Sequence, residues 1–319
     1  MNFLTDKTTF VLTSGLFGLL MVSSLVGFVL SKTARTENQR QLLDNLNSRI
    51  KAWWIMSVVF MVALATGPLG SVVLFGFVSF LALREFITLT PTKLGDHRAL
   101  FWAFFVILPL QYAFVAIQWY GMFSIFIPIY AFIFLPIRIV LSGDCERFLE
   151  RTAKIQWGLM VSVYCISHAP ALLTLNIPGY EGENAKLLFF LVFVVEASDV
   201  FQYVFGKLFG RRKIAPGVSP HKTVEGFAGG VATAVVLGTL LWWITPFTPW
   251  QAAGFSFLMA VIGFFGGLIM SAIKRDRGIK DYGAVIPGHG GMLDRMDSLC
   301  FAAPVFFHLV RYYFAMWWP

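Results

Sequence analysis

The side chains best suited to chemistry are concentrated between residues 271 and 298. This stretch contains five Lys or Arg, four Asp, one His and five Gly, and a long apolar run lies on each side of it. A loop that only joins two apolar helices needs few polar residues, so this mixture of both charge signs predicts a charged partner. Carboxylate oxygens suit Mg²⁺, and Lys and Arg suit phosphate oxygens. The composition favours a nucleoside triphosphate with a divalent metal.

Four carboxylates are candidates for holding the metal. Asp294 and Asp297 lie three residues apart, on one face of a helix predicted to begin near Met292. Asp281 precedes the glycine turn, and Asp199 lies within an earlier apolar run. Mg²⁺ usually keeps several waters and bridges to substrate phosphates, so a few carboxylates are enough. We predict Mg²⁺ at this site, and a second cation stays open.

The other polar and glycine residues of the stretch are candidates for contacts to phosphate. Glycine lets the backbone approach a ligand closely, and the first amides of a helix point toward anionic oxygens. We predict catalytic roles for Lys274, Arg275, Lys280, Asp281, His289, Asp294, Arg295 and Asp297, and substrate binding by Ser271, Gly288, Gly290 and Gly291. His289 is either a hydrogen-bond donor or only part of the turn. The structural alternative is a loop whose Asp and Arg pair with each other.

A second polar segment, at residues 219–226, has the residue types of a phosphate contact. Pro220 fixes a turn, and Ser219, Lys222 and Thr223 supply hydroxyl and ammonium donors. Glu225 then opens a glycine-rich helix, whose small residues permit close packing against a neighbour. We predict that Lys222 is catalytic and that the other four residues contact the substrate.

Charged side chains also occur inside the apolar runs, where burial is costly. Glu196 and Asp199 lie three residues apart on one helix face and need cations nearby, either a metal or basic side chains. Glu85 either pairs with a basic neighbour or has a function. Gln111 and His168 are interpreted as polar groups whose hydrogen bonds are satisfied within the bundle.

The elements that must position these residues are membrane helices. The 319-residue chain is 57% hydrophobic and 13% charged, whereas a soluble domain has about 25% charged residues. About 20 apolar residues are enough to span a bilayer. The pattern predicts an all-α integral membrane protein, a polytopic bundle of about ten transmembrane helices. The apolar runs fall at about 9–30, 52–66, 69–88, 99–119, 122–141, 155–175, 187–205, 227–246, 250–272 and 298–318.

The distribution of basic residues predicts the orientation of the bundle. Alternate loops contain 22 of the 25 Lys and Arg, and the remaining segments contain three. By the positive-inside rule the basic loops face the cytoplasm, so both termini lie on the other side. The net charge of +8 is explained by this rule and by the anionic membrane surface, so we expect no nucleic-acid partner. We predict a multi-pass protein of a bacterial inner membrane with a cytoplasmic active site.

The first part of the chain is interpreted as a separate unit. We predict an N-terminal transmembrane helix with a basic connector over residues 1–51, and a catalytic membrane domain over 52–319. Residues 31–51 fit either a helix on the membrane surface or a solvated linker. The runs on either side of Gly67-Pro68 fit either a hairpin or one broken element. The three cysteines have no paired or metal-ligand spacing and are expected to be free thiols.

At these polar segments the chain resembles the phosphatidate cytidylyltransferases, also called CDP-diacylglycerol synthases. The resemblance is strongest over residues 185–319. Within this region the family signature matches Ser271, Lys274-Arg275, Lys280-Asp281, Pro287, His289-Gly290-Gly291, Asp294-Arg295 and Asp297. The second element matches Ser219-Pro220, Lys222-Thr223 and Glu225-Gly226, and the intramembrane Asp matches Asp199. Gln202 stands where the family commonly has Ala, which leaves the exact lipid substrate open.

The resemblance implies a reaction of CTP with phosphatidate that gives CDP-diacylglycerol and pyrophosphate. The partners it implies are CTP, phosphatidic acid and membrane lipids, and a homodimer stays open. Two other readings of the residues remain. The first is another CTP-using lipid transferase or a lipid kinase. The second is a cation-coupled transporter, although the charges concentrate on one side of the membrane instead of near its midplane.

Overall fold

The computed structural model describes residues 7–33, 36–89, 92–285 and 290–315. Helices make up most of this part of the chain, and a short antiparallel hairpin of two strands joins two of them. In chain order the elements are α1 Lys7–Thr33, α2 Glu37–Ala65, α3 Gly67–Thr88, α4 Leu94–Ala116, α5 Tyr120–Val140, α6 Phe148–Thr174, α7 Asn184–Phe209, β1 Lys213–Ala215, β2 Ser219–Thr223, α8 Val224–Leu240, α9 Pro249–Asp276, α10 Met292–Met296 and α11 Leu299–Phe314.

The helical membrane architecture predicted from the sequence is confirmed. Within the described ranges, eight helices are long and apolar enough to cross a bilayer, and α8 and α11 are shorter apolar helices. Each of the ten predicted apolar runs coincides, over most of its described residues, with one of these helices. The number of crossings and the side on which each terminus lies remain predictions. The β1–β2 hairpin, which the apolar pattern did not indicate, adds a small sheet to the helical fold.

The second helix corrects the interpretation of residues 31–51. The side chain of Thr36 accepts a hydrogen bond from the Gln39 amide, and Gln39 bonds back to Thr36, which together form a capping box. From this cap, α2 continues to Ala65 without interruption. The polar residues from Glu37 onward are therefore the first turns of one continuous helix and not a linker, and their position at the membrane surface remains a prediction. The division of the chain after residue 51 remains a prediction, although α2 runs across it.

The turn between α2 and α3 resolves the second open point. Thr66 ends α2, and Gly67 begins α3 with a φ of +84°, a conformation that glycine adopts readily. The two runs are therefore separate helices joined by a tight turn. Ser71 of α3 donates to the backbone oxygen of Ala63, which ties the start of α3 to the end of α2.

Helices α7 and α8 approach each other at backbone distance. A Cβ added to Gly226 would lie 2.7 Å from the backbone oxygen of Gln202, and one added to Gly230 would lie 2.9 Å from that of Ser198. Neither space admits a methyl group, so the glycines allow the contact. Gln202, the residue that departs from the family pattern, donates from its side chain to the hydroxyl of Ser198. The predicted close packing of the glycine-rich helix is confirmed.

The two buried polar side chains singled out within the helical bundle, Gln111 and His168, have only part of their hydrogen-bonding capacity satisfied. Gln111 donates to the Phe123 backbone oxygen and to the Ser167 hydroxyl, and Nδ1 of His168 lies 2.8 Å from the backbone oxygen of Tyr164. Within the described residues, Oε1 of Gln111 and Nε2 of His168 have no hydrogen-bond partner. The prediction of satisfied groups therefore holds for one polar atom of each side chain.

Candidate active site

The candidate site is assembled from four parts of the chain that meet near the ends of α7 and α9. Helix α7 contributes Asp199, the hairpin contributes Lys222, α9 contributes Lys274, and the short helix α10 with the residue after it contributes Asp294 and Asp297. The electrostatic environment of Asp297 includes Lys274, Lys222 and Arg295. The sequence prediction that these segments form one site is therefore consistent with the fold.

Lys222 extends from the hairpin into this cluster. Its strand, β2, pairs with β1, and the neighbouring His221 is exposed while Lys222 is half-buried. The ammonium donates to the Phe264 backbone oxygen at 3.3 Å and lies 4.6 Å from the centre of the Phe264 ring. Burial lowers the pKa of Lys222, and the carboxylates of Asp199 and Asp297 oppose that shift.

Asp294 connects the glycine-containing loop to α9. Its Oδ1 accepts from the ammonium of Lys274 at 2.9 Å, and its Oδ2 accepts from the backbone amides of Tyr282 at 2.7 Å and Gly291 at 2.9 Å. The carboxylate is buried. Gly290 precedes this cap with a φ of +82°. Both oxygens of Asp294 are thus used to fix the loop and the start of α10.

Glu85, on α3, also binds the start of α10. Its two carboxylate oxygens accept from the amides of Met292 at 2.9 Å and Leu293 at 2.8 Å, so a residue of α3 caps α10. A Cβ added to Gly283 would meet the Glu85 carboxylate at 2.7 Å, which shows how closely the loop surrounds it. The sequence left Glu85 undecided. The available signal was a carboxylate at the end of an apolar run, beside Arg84 as its candidate partner.

The carboxylates of Asp199 and Asp297 lie within electrostatic reach of each other and of two cations. Asp199 interacts with Ser298, Lys222 and Arg295 as well as with Asp297. Glu196, one turn earlier in α7, interacts with Asp199 and Arg295. Within the described residues, Nε of Arg295 is buried without a hydrogen-bond partner. The arrangement places Asp199 and Asp297 beside Lys222 and Arg295, and the catalytic and metal-binding roles predicted for these residues remain predictions.

Several residues predicted to bind the substrate have structural contacts. Thr223 caps α8 by accepting from the Gly226 amide at 3.1 Å. Glu225 accepts from the amides of Arg211 at 2.9 Å and Arg212 at 3.1 Å, which holds the turn before the hairpin. Backbone bonds to Glu225 lower the pKa of its carboxyl. Contacts to a substrate by Thr223 and Glu225 remain predictions.

Other predicted residues lie at the edge of the cluster. Ser271 donates to the Gly267 backbone oxygen, and Arg275 donates to the backbone oxygens of Val218 and Ile279, which links α9 to the hairpin turn. The remaining members are Lys280, Asp281 and Pro220, which are exposed, and Ser219, which is half-buried. Gly288 and His289 lie outside the described residues, so their predicted roles are untested.

Gly267 provides a direct test of the Lys222 position. A Cβ at residue 267 would lie 2.8 Å from Nζ of Lys222 and 3.9 Å from Oδ2 of Asp297. Because Nζ ends a flexible side chain, we expect Gly267→Ala to fold and to displace the ammonium, lowering the rate about tenfold. Gly254→Ala is the matched control, since nothing lies within 4 Å of its added Cβ on the same helix. Equal rates for both variants in a turnover assay would contradict the placement of Lys222.

The residues of this site lie within the part of the chain that matches a known protein family. Residues 47–313 match the model of the cytidylyltransferase family. The chain belongs to the cytidylyltransferase family. The matched range contains the hairpin, α9, α10 and all the carboxylates and cations described above. It excludes α1 and the first turns of α2.

Individual relatives of this cytidylyltransferase agree with the family match. The chain is 39% identical over 302 residues to the uncharacterized protein YnbB of Escherichia coli (strain K12), covering 93% of this chain and 96% of YnbB. It is 29% identical over 276 residues to the phosphatidate cytidylyltransferase of Bacillus subtilis (strain 168), covering 83% of this chain and 98% of that protein. It is 41% identical to the phosphatidate cytidylyltransferase of Mycobacterium leprae (strain TN) over 130 residues, which is 40% of this chain and 41% of that protein.

Proposed function

We propose that this cytidylyltransferase transfers CMP from CTP to phosphatidate, or to a related lipid phosphate, and releases pyrophosphate. The observation that carries the proposal is the group of half-buried charges formed by Asp199, Lys222, Lys274, Arg295 and Asp297, which membrane helices and the hairpin bring together. Such a group can receive a highly charged, water-soluble nucleotide next to a substrate that stays in the membrane. The names of two of the relatives support the same reaction.

The chemistry needs no nucleophile from the protein. A phosphate monoester is already anionic near neutral pH, so its oxygen can attack the α-phosphorus of CTP directly. A bond then forms between the lipid phosphate oxygen and that phosphorus, and the bond to the pyrophosphate oxygen breaks. The protein aligns the two anions and offsets their repulsion. We propose that Lys222 and Lys274 stabilise the departing pyrophosphate, and Arg275 and Lys280 are more exposed than these two.

The residues present fit Mg²⁺ through two protein carboxylates. Within the described ranges, no three His, Cys, Asp or Glu side chains are grouped to hold a metal. Asp199 and Asp297 interact with each other, and Mg²⁺ commonly uses one or two carboxylates together with substrate phosphates. We propose these two as the ligands. Both oxygens of Asp294 bond elsewhere, so we leave it out of the pair, and exposed Asp281 stays a candidate. When bound, the ion would neutralise phosphate charge.

The proposed location is the cytoplasmic face of a bacterial inner membrane. The basic segments support this placement, since residues 206–225, which contain the hairpin, and residues 273–297 belong to the set rich in Lys and Arg. CTP would then reach the site from the cytoplasm, and the lipid would reach it from the inner leaflet. A homodimer remains a prediction.

The proposed reaction is tested with purified protein in vesicles. We expect labelled CTP, phosphatidate and Mg²⁺ to give a labelled CDP-lipid and pyrophosphate, and Asp297→Asn to abolish the product while the protein still folds. Replacing phosphatidate with an isoprenoid phosphate or with diacylglycerol distinguishes another transferase and a lipid kinase. Absence of a CDP-lipid from every phosphate-bearing acceptor would disprove the proposal, and CTP-independent ion flux would favour a transporter.

A further inference from the structure

A cavity of about 360 Å³ lies beside the candidate site, among the ends of α3, α6 and α9. These are the ends that adjoin the basic loops. Its size is within the range of small-molecule pockets. Its large apolar and aromatic lining residues are Phe86, Leu89, Trp157, Ile273 and Tyr282. The cavity can therefore hold an apolar part of a ligand.

The charged residues of the cavity occur as pairs of opposite sign. Glu150 bonds to Lys154, and Asp276 pairs with Arg277 at 2.9 Å. Because these charges cancel, the cavity has little net charge with which to attract a free anion. Trp157 is 44% exposed, and Trp is enriched where membranes meet water. A cavity with apolar walls and balanced charges fits the glycerol and first acyl carbons of a membrane lipid better than it fits a soluble nucleotide.

Two residues that line the cavity, Tyr282 and Phe86, connect it to the candidate site. Tyr282 lines the cavity, yet its amide donates to Asp294 and its ring centre lies 5.4 Å from Nζ of Lys274. Phe86 lines the cavity, stacks on Tyr282 with ring centres 6.5 Å apart, and follows Glu85, the cap of α10. One aromatic ring thus lies against both the cavity and a cation of the site. A lipid held in the cavity would therefore contact Tyr282, the residue that also contacts Lys274 and Asp294.

We propose that this cavity binds the glycerol and proximal acyl part of the lipid phosphate acceptor. The inference rests on the proposed function and adds the place where the acceptor is recognised. Phe86, Trp157 and Tyr282 contact the apolar part, and the phosphate extends past Tyr282 toward Lys274. The cavity binds the apolar part of the acceptor and the cations of the site bind its phosphate, so phosphatidate should bind there more tightly than a neutral phospholipid, and CTP binding is independent of the cavity.

Filling the cavity is the first test. Ala153 lines it and is exposed, so Ala153→Trp adds bulk there without entering the packed core. We expect KM for phosphatidate to rise about tenfold, with KM for CTP unchanged, because only uniform binding of the lipid is lost. Ala113→Trp is the matched control, since Ala113 is an exposed residue of α4 outside this lining. Equal lipid KM values for both variants would overturn the inference.

A binding measurement keeps the inference testable whether or not turnover is detected. Cys145 is exposed and Cys165 is half-buried, so Cys145→Ser and Cys165→Ser combined with Ala153→Cys leave one accessible thiol, at the cavity, for a maleimide reagent. We expect phosphatidate vesicles to slow labelling several-fold relative to neutral phospholipid vesicles, and CTP to have no such effect. Equal labelling in both vesicles would overturn the inference even for an active enzyme. Protection without any CDP-lipid product would support the cavity while disproving the proposed reaction.

Discussion

Lys222→Gln is expected to lower turnover about 10²–10³-fold, the usual cost of removing one preorganised group that stabilises transition-state charge. The ammonium lies among Asp199, Asp297 and Lys274 and is partly buried, so water cannot replace it. Its contact with the Phe264 backbone fixes its direction. The measurement is the rate of pyrophosphate release at saturating CTP and lipid, with folding checked by thermal unfolding in detergent.

Two further variants distinguish the effect of the position of Lys222 from the effect of losing a positive charge. Lys213→Gln removes an exposed lysine from the other strand of the same hairpin and should leave turnover within about twofold. Lys222→Arg keeps the positive charge but not the compact ammonium, so we expect only partial activity. Full activity of Lys222→Gln, or equal losses at positions 213 and 222, would contradict the role of Lys222.

Glu85→Ala is expected to have the second large effect, on stability as well as on rate. It would leave the buried amides of Met292 and Leu293 without acceptors, at a cost of about 1–3 kcal/mol for each unsatisfied group. The start of α10 would then move, together with Asp294 and the loop bonded to it. We expect a lower midpoint of thermal unfolding and a fall in kcat of at least about tenfold.

Glu85→Gln tests whether the carboxylate itself is needed. Glutamine has one acceptor oxygen, so it can satisfy only one of the two amides and should recover part of the stability and part of the rate. The control is Glu146→Gln, which breaks an exposed pair with Lys93 that contributes little to stability. If Glu85→Gln retained wild-type kcat and wild-type stability, the two-amide cap would not be what positions α10.

The sequence predicted the features that depend on local pattern. Ten apolar runs, a helix beginning at Met292, and the glycine-rich helix after Lys222 all follow from residue types within a few positions of each other. The grouping of Asp199, Lys222 and Asp297 was predictable because unpaired buried charges need partners of the opposite sign. Local pattern therefore identified most of the candidate residues, and the need of charges for partners of opposite sign suggested their grouping.

Contacts between distant segments were not predictable in this way. Glu85 bonds to residues 207 and 208 positions later, and no spacing rule connects them. Asp294 was expected to face a metal, whereas its oxygens bond to Lys274 and Tyr282, which lie 20 and 12 residues earlier, as well as to the nearby Gly291 amide. The continuity of α2 was missed because its polar first half lacks the apolar pattern used to find helices.

The backbone contact between α7 and α8 has a consequence for the protein in membranes of different composition. Asp199 lies on α7, and Lys222 lies two residues before α8, so the glycine contact fixes the acidic and basic halves of the site to one body. A change in bilayer thickness is accommodated by helix tilt. Because α7 and α8 would tilt together, the distance between Asp199 and Lys222 should not change. We therefore expect KM for CTP to stay nearly constant when the acyl-chain length of the surrounding bilayer is changed. Any effect of bilayer thickness should act on the access of the lipid substrate to the site.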